Sequence, residues 1–412
     1  MHILSLALGG CLRGEPVRYG ITEDTGGHIG YILGEMRALS LRGDVRCAEI
    51  VTRRFDAPEL GTVHARREEW LAPKLVLRRI DSGNPDYLAK EALGADREAF
   101  TAALIEELRS RERLPDLVHA HFADAADVAA RIQRVFGIPF VYTAHSLAMD
   151  KLKASGFRTQ ALRQRIEEED RAIARAAAVV GSSRDECERQ LASYPSASVD
   201  RIHRLTPGTA PADPQPAKIA AARALIAPFL RDPQRPMVLA VARAVHKKNL
   251  VGLVEAFAGE PGLRSQCNLV IVAGQRQSLN EGEAEQREVM NALADAIDRH
   301  DLYGCVAYPK THSRPEVEGL YALAARSRGV FANPAQVEPY GLTLVEAATF
   351  GLPVVATKIG GAHDIVLELG HGTLIDPEDT AGIGRAIREL IADRNAWNAK
   401  SANGLRNVRS MT

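Results

Sequence analysis

Residues 329–357 read "GVFANPAQVEPYGLTLVEAATFGLPVVAT", and their pattern decides the fold. An apolar run closes at Asn333-Pro334, a loop shaped by Pro339 and Gly341 follows, a helical stretch comes next, and a second apolar run begins at Pro353. Apolar residues at consecutive rather than alternate positions mark strands covered on both faces, and therefore parallel strands joined by a helix. Gly341, Leu342 and Thr343 offer backbone N–H groups that a helix start leaves unpaired. Glu338 stands before that helix and Glu346 about one and a half turns inside it. An acid beside a first turn complements the helix dipole, which accounts for Glu346 but not for Glu338.

The same alternation runs along the whole chain. Apolar runs such as "ILSLAL" (3–8), "VRCAEIV" (45–51), "DLVHAHF" (116–122) and "PFVYTA" (139–144) occupy the first half. A second set, from "MVLAVAR" (237–243) through "NLVIVAG" (268–274) to "GTLI" (372–375), occupies the second. Between them residues 206–236 carry seven of the 21 prolines and read as a connection with a short helix inside. The expected architecture is α/β, with two Rossmann-like domains facing a central cleft: residues 1–207, a Pro-rich connection over 208–236, and residues 237–412. Ligands of such sheets bind beyond the C-terminal ends of the strands.

Composition narrows the class. A chain of 412 residues with 46% hydrophobic and 25% charged residues reads as a two-domain globular protein. Its formal net charge of zero gives no global attraction to nucleic acid or an acidic membrane, so an anionic ligand needs local cations. Five scattered cysteines without C-x-x-C fit a reducing cytoplasm rather than a disulfide framework or zinc site. The start, "MHILSLALGGC", lacks Lys or Arg before its apolar run and reads as a first strand, not a signal segment. No window reaches the roughly 18 apolar residues of a membrane span.

Several groups fall at the expected strand ends. In "EDTGGHIGYILGEMRAL" Asp24 or Thr25 caps a helix, with Gly26 and Gly27 at its N-terminus where backbone N–H groups favour an anion. "VYTAHSLAMDKLK" places His145 directly after a strand, with Ser146 and Lys151 behind it; a histidine there can donate a hydrogen bond or hold developing charge, or be a satisfied core residue. In "VHAHFADAAD", His119 and His121 point to one face of a strand, with Asp124 and Asp127 beyond; nothing further completes a metal site, and none is expected. "VLAVARAVHKKNL" ends a strand with Arg243, then Lys247 and Lys248, a candidate diphosphate clamp, before a helix entered through Asn249.

Together these segments resemble the retaining family 4 glycosyltransferases of the GT-B fold, whose hallmark E-x7-E is here Glu338 to Glu346, preceded by an Arg…Lys pair, here Arg243 and Lys248. The similarity is nearest to the sucrose-phosphate synthase group and covers most of the chain, through "DTGG", "HFADAADVAA", "HSLAMDKL", "HKKN", "VAYPKTHSRPEVEGLYALAA", "NPAQVEPYGLTLVEAATFGLPVVATKIGG" and "LIDPED" in order. The resemblance implies a nucleotide-sugar, UDP-glucose, in the second domain. Arg243 and Lys248 would neutralise its diphosphate with backbone N–H groups of Leu342, Thr343, Leu344 and Gly27. Glu346 would accept from the ribose, Glu338 would read the sugar hydroxyls and His145 would contact the transferred sugar. Gly274 and Lys310–His312 would lie by the base.

It further implies a sugar-phosphate acceptor, fructose 6-phosphate, held in the first domain by Gly26, His28, Lys90, Lys151 and Arg165. Transfer would proceed by front-face displacement without metal, cofactor or protein nucleophile. Sibling activities stay open: GDP-mannose as donor, as in mannosylfructose-phosphate synthase, another sugar or polyol phosphate as acceptor, or a non-catalytic nucleotide-sugar binder. His28 stands where the group has glutamine, which leaves the acceptor open. The group also leads us to expect a final helix crossing back to the first domain beyond "NGLRNVRSMT".

Overall fold

A computed structural model describes residues 1–22, 24–149, 152, 159–280 and 282–411. The chain divides into two units, Met1–Gly208 and Thr209–Thr412. The Pro-rich segment therefore does not stand apart as a connection. Its residues from 209 onward belong to the second unit, because helix Pro216–Ile226 packs along helix Arg314–Arg326 and buries Ile219, Ala222 and Ile226. Pro216 opens that helix, where a missing N–H costs nothing.

The first unit is built on an eight-stranded sheet, in the order β3-β4-β2-β1-β5-β6-β7-β8. These strands are β1 (His2–Leu6), β2 (Cys47–Arg53), β3 (Glu68–Ala72), β4 (Leu75–Ile80), β5 (Leu117–His121), β6 (Phe140–Thr143), β7 (Ala178–Gly181) and β8 (Ile202–Arg204). All pairings are parallel except β3–β4. The edge strand β3, "EEWLA", escapes a reading based on apolar runs because it is half charged and leaves Trp70 exposed. Helices α1 (Gly27–Leu41), α2 (Leu93–Arg109), α3 (Phe122–Phe136) and α4 (Gln160–Arg175) accompany this sheet. One core gathers Leu4, Leu6, Val118 and Phe140 from the strands with Phe100, Leu104 and Val128 from α2 and α3.

The second unit has six parallel strands: β9 (Met237–Val241), β10 (Asn268–Val272), β11 (Val306–Ala307), β12 (Val330–Asn333), β13 (Val354–Thr357) and β14 (Gly372–Ile375). Their order, β11-β10-β9-β12-β13-β14, is that of a doubly wound nucleotide-binding sheet, with the switch point between β9 and β12. The opening segment supplies β12, helix α5 (Leu342–Thr349) and β13, two parallel neighbours joined by a helix. Separate cores cover the two faces. Phe257, Leu253 and Ile297 lie on one side and Leu344, Tyr321 and Phe331 on the other, all with 1% exposure or less, so both faces are dry.

Outside the candidate site, β1 and β2 are pinned by a buried carboxylate. Glu49, 1% exposed, receives His2 Nε2 at 3.0 Å and Arg111 in a fork at 2.8 Å to each oxygen. Burial alone would raise its pKa, but His2 and Arg111 bring it down to about 2. Burial would likewise lower the pKa of His2, but hydrogen bonds to Cys47 and Glu49 lift it to about 9. The raised His2 contributes stability that is complete below its ordinary pKa of 6.5 and lost as pH climbs through 9. The depressed Glu49 contributes above its ordinary 4.5 and loses its share as pH falls towards 2. Denaturant unfolding between pH 6 and about 9.5 should show stability falling with pH in the wild type and a flatter profile in His2→Gln; parallel profiles would contradict the pairing.

Candidate functional site

In the second unit, three strand ends meet on Glu338. β9 ends at Val241, Arg243 follows two residues on, and a short 3-10 turn, His246–Lys248, sets Lys248 Nζ 2.6 Å from Glu338 Oε2. Asn333, the last residue of β12, donates from Nδ2 to the same oxygen at 3.0 Å. The Glu338 backbone then bridges to the segment after β13, its N–H donating to Ile359 O at 3.3 Å. That approach needs a glycine opposite: Gly360 has φ 84°, and a Cβ there would lie 2.4 Å from Glu338 O. Burial pushes the Glu338 carboxyl up, but Lys248 beside it outweighs this and holds it below the usual carboxylate range.

Glu346 has other neighbours. Its Oε2 accepts from Tyr321 Oη at 3.1 Å, and burial pushes its carboxyl above the usual range. Lys248 and Asn333 meet Glu338 while Tyr321 meets Glu346, and the two acids of the E-x7-E spacing titrate in opposite directions, which is how one segment can present two chemically distinct carboxyl groups. Between them Gly341, at φ 103°, starts α5 without a side-chain cap. The N–H of Leu344 already turns back to Gly341 O at 2.9 Å, and its side chain is buried. The free amide expected of Leu344 is therefore absent, and helix geometry leaves those of Leu342 and Thr343 for a ligand.

The β10 and β11 ends are laced together. Gly274, at φ 81°, precedes Gln275, which exchanges hydrogen bonds with the His312 backbone at 2.7 and 3.3 Å, and Arg276, whose guanidinium donates to Tyr308 O and Pro309 O. Arg276 N–H also reaches Lys310 O at 2.9 Å, so the segment after Gly274 and Lys310–His312 lie side by side. Asn249 does not cap its helix with its side chain. In the left-handed conformation (φ 52°) it braces the site, donating to Pro334 O and Pro377 O.

In the first unit, the expected cap of α1 by Asp24 or Thr25 is also absent. Gly26 is the N-cap, without side-chain help; Asp24 Oδ2 accepts from Lys90 N at 2.7 Å and Thr25 Oγ1 from Cys11 N at 3.1 Å. His145 follows β6 at φ 57°, and its ring packs against His28, Tyr31, His121 and Phe122 at centroid distances of 4.9–6.0 Å. His145 Nε2 is 2.9 Å from His121 Nδ1, and His121 Nε2 is 2.9 Å from Ser5 Oγ. His119 bonds Thr143 at 2.8 Å and Glu35 at 2.9 Å.

Glu35, His119 and His121 could present ligand atoms to a cation within 4.8 Å of one another, a grouping missed because Glu35 lies over 80 residues away in sequence. The ring nitrogens of His119 and His121 are, however, already engaged in the bonds above. Asp124 and Asp127 do not join them: Asp124 faces Lys90, and Asp127 faces Arg97 and Arg131 at 3.5 and 3.6 Å.

Lys90 lies with its Nζ 4.4 Å from the Phe122 ring centre. Burial and the neighbouring Arg165 push its pKa down to about 8. Arg165 donates to Glu169 at 2.9 Å and to Ser146 O and Oγ at 3.2 and 3.3 Å. Two cations thus meet beside His145's own loop. Lys151 lies outside the described residues. Tyr321 and Asn333 are the partners that sequence reasoning missed. Asn333 closes an apolar run five residues before Glu338, a signal that was present, whereas Tyr321 belongs to the apolar face of helix Arg314–Arg326 and reads as core.

Comparison with known proteins agrees with this layout. Residues 223–406 match the family model "Glycosyl transferases group 1" and residues 50–213 match "Glycosyltransferase Family 4". Among curated relatives, probable sucrose-phosphate synthase 1 of Oryza sativa is 33% identical over 99% of this chain and 44% of its own length. Sucrose-phosphate synthase of Zea mays is 32% identical over 99% of this chain and 46% of its own. The chain thus spans about half the length of these relatives. Among solved structures, a sucrose-phosphate synthase from Thermosynechococcus elongatus superposes with TM-score 0.80 at 22% identity, over 100% of this chain and 95% of that one. Anabaena HepE in complex with UDP and glucose does so at 0.70 and 18%, over 100% and 95%. Among the described residues no helix is long and apolar enough to cross a membrane.

Removing one member of a buried ion pair strands the other charge, at a cost of about 3–5 kcal/mol. Lys248→Met should therefore destabilise the second unit by about that amount, and adding Glu338→Gln should recover part of the loss; a strictly additive double-mutant cycle would contradict the pairing. From the E-x7-E hub, the doubly wound sheet of the second unit, the two matched family models and likeness to sucrose-phosphate synthases over 99% of this chain, we conclude that the chain belongs to the family 4 glycosyltransferases of the GT-B fold.

Proposed function

We propose that this chain moves a hexosyl group, with retention, from a nucleotide-sugar to a sugar phosphate, and specifically glucose from UDP-glucose to fructose 6-phosphate to give sucrose 6-phosphate. The observation that carries this reading is the Lys248–Glu338–Asn333 junction at the uncapped start of α5. It offers a cation and free amides for a diphosphate beside an ionised carboxylate for sugar hydroxyls. The sucrose-phosphate synthases among the relatives support the acceptor class, and UDP and glucose bound to HepE support the donor class.

Arg243 and Lys248 would neutralise the departing diphosphate, Leu342 and Thr343 would add N–H groups, and Glu346 would accept from the ribose. Gly274 and the Lys310–His312 segment would border the base. In the first unit Lys90 and Arg165 would hold the acceptor phosphate, with Gly26 and His28 beside them, and His145 would meet the reacting sugar. The acceptor hydroxyl attacks the anomeric carbon, the carbon–phosphate oxygen bond breaks on the same face, and the leaving phosphate oxygen takes the hydroxyl proton. These cations supply the charge stabilisation, so the transfer step requires no metal.

One assay matrix decides among donors and acceptors. UDP-, ADP- and GDP-sugars are crossed with fructose, fructose 6-phosphate and other sugar phosphates, with and without a chelator, and nucleoside diphosphate release is followed. Release from UDP-glucose only with fructose 6-phosphate, insensitive to chelation, supports the proposal. Preference for GDP-mannose would move the chain to the mannosylfructose-phosphate activity, and binding of a nucleotide-sugar without turnover across the matrix would make it a non-catalytic binder. Lys90 sharpens the acceptor assignment. Because it loses its proton near pH 8, KM for fructose 6-phosphate should rise above that pH, and Lys90→Gln should raise KM and flatten its pH profile.

A further inference from the structure

We infer that Glu35 is a positioning residue: acting through His121, it holds His145 in the tautomer that carries its proton on Nε2 and leaves Nδ1 bare, as a hydrogen-bond acceptor. This deepens the proposed role of His145 and rests on it only for its catalytic consequence.

Three residues of α1 spaced at helical intervals, His28, Tyr31 and Glu35, face the histidine cluster. A carboxylate oxygen can only accept. Glu35 Oε1 takes the Nδ1–H of His119 at 2.9 Å, and Thr143 Oγ1, 2.8 Å from Nε2, anchors the ring from the other side. Glu35 Oε2 is buried, has no hydrogen-bond partner among the described residues, and stands 3.9 Å from Nε2 of His121.

A nitrogen lone pair at that position would face an uncompensated anion, whereas an N–H there is attracted to it and donates to Ser5 Oγ at 2.9 Å. His121 Nδ1 is then the acceptor of its 2.9 Å bond to His145, so His145 Nε2 must carry the hydrogen. Burial, reinforced by the surrounding histidines, pushes both rings well below the ordinary histidine pKa, and each holds a single proton at neutral pH. Tautomer choice is consequently exclusive: a proton fixed on one nitrogen empties the other. The nitrogen that His145 keeps for a ligand accepts from a sugar hydroxyl rather than donating to it, which separates two roles that a histidine at a strand end leaves open.

Nitrogen-15 NMR of histidine-labelled protein reads the tautomer directly, with His145→Asn and His121→Asn assigning the signals. The wild type should show His145 protonated on Nε2 and bare on Nδ1. Glu35→Gln keeps the size of the side chain and removes its charge. It should mix the tautomers of His121 and His145 and lower kcat about tenfold while KM for the nucleotide-sugar changes little. Glu35→Asp, which keeps the charge, should retain the wild-type tautomer. A wild-type His145 protonated on Nδ1, or a Glu35→Gln spectrum identical to wild type, would overturn the inference. Should Glu35→Gln fail to fold, the wild-type spectrum decides alone. If the tautomers are as stated but no sugar is transferred, the proposed function fails and the positioning of His145 stands.

Discussion

The second unit depends on one buried carboxylate. Glu338 accepts from Lys248 after β9 and Asn333 at the end of β12, while its backbone pairs with the segment after β13. A charge taken out of water must be matched, and here the matching groups come from two strand ends while the backbone of the same residue ties in a third. The hydrogen bonds that keep the carboxylate ionised therefore also set the distances between the loops. Gly360 exists for this approach and not for flexibility, since any Cβ would occupy the space of the Glu338 carbonyl.

The first unit solves a different problem with neutral groups. His121 and His145 are too deeply packed to carry charge at neutral pH, so the cationic character near them falls to Lys90 and Arg165. The histidines contribute direction instead: each ring is fixed by a partner on both sides or by one partner and a ring stack. Charge and orientation are supplied by separate residues, which lets either be altered without the other.

Much of this was legible in the chain. Consecutive apolar runs announced parallel sheets, and residues 329–357 announced a strand, helix and strand with an acid before the helix. Motif spacing led to Glu338, Lys248 and His145, which are local to strand ends. What stayed hidden was set by contacts across sequence. Glu35 reads as the polar face of an amphipathic helix until β5 is laid beside it, and Tyr321 reads as core until its hydroxyl meets Glu346. Capping of α1 was misjudged for the same reason: Asp24 and Thr25 carry good capping side chains, but tertiary partners claim them first. The amide of Leu344 was lost to a tight first turn that no spacing reveals.

The antiparallel strand β3 has an effect beyond the sheet it borders. An open sheet edge is a template on which another chain can add a strand. Here that edge carries Glu68 and Glu69, paired to Arg78 and Arg79 on its neighbour, so an incoming strand would meet charges already committed inward. The opposite edge, β8, is three residues long, and the edges of the other sheet, β11 and β14, have two and four. Edges this short or this charged give a growing aggregate little to copy, so two large sheets can avoid joining their neighbours.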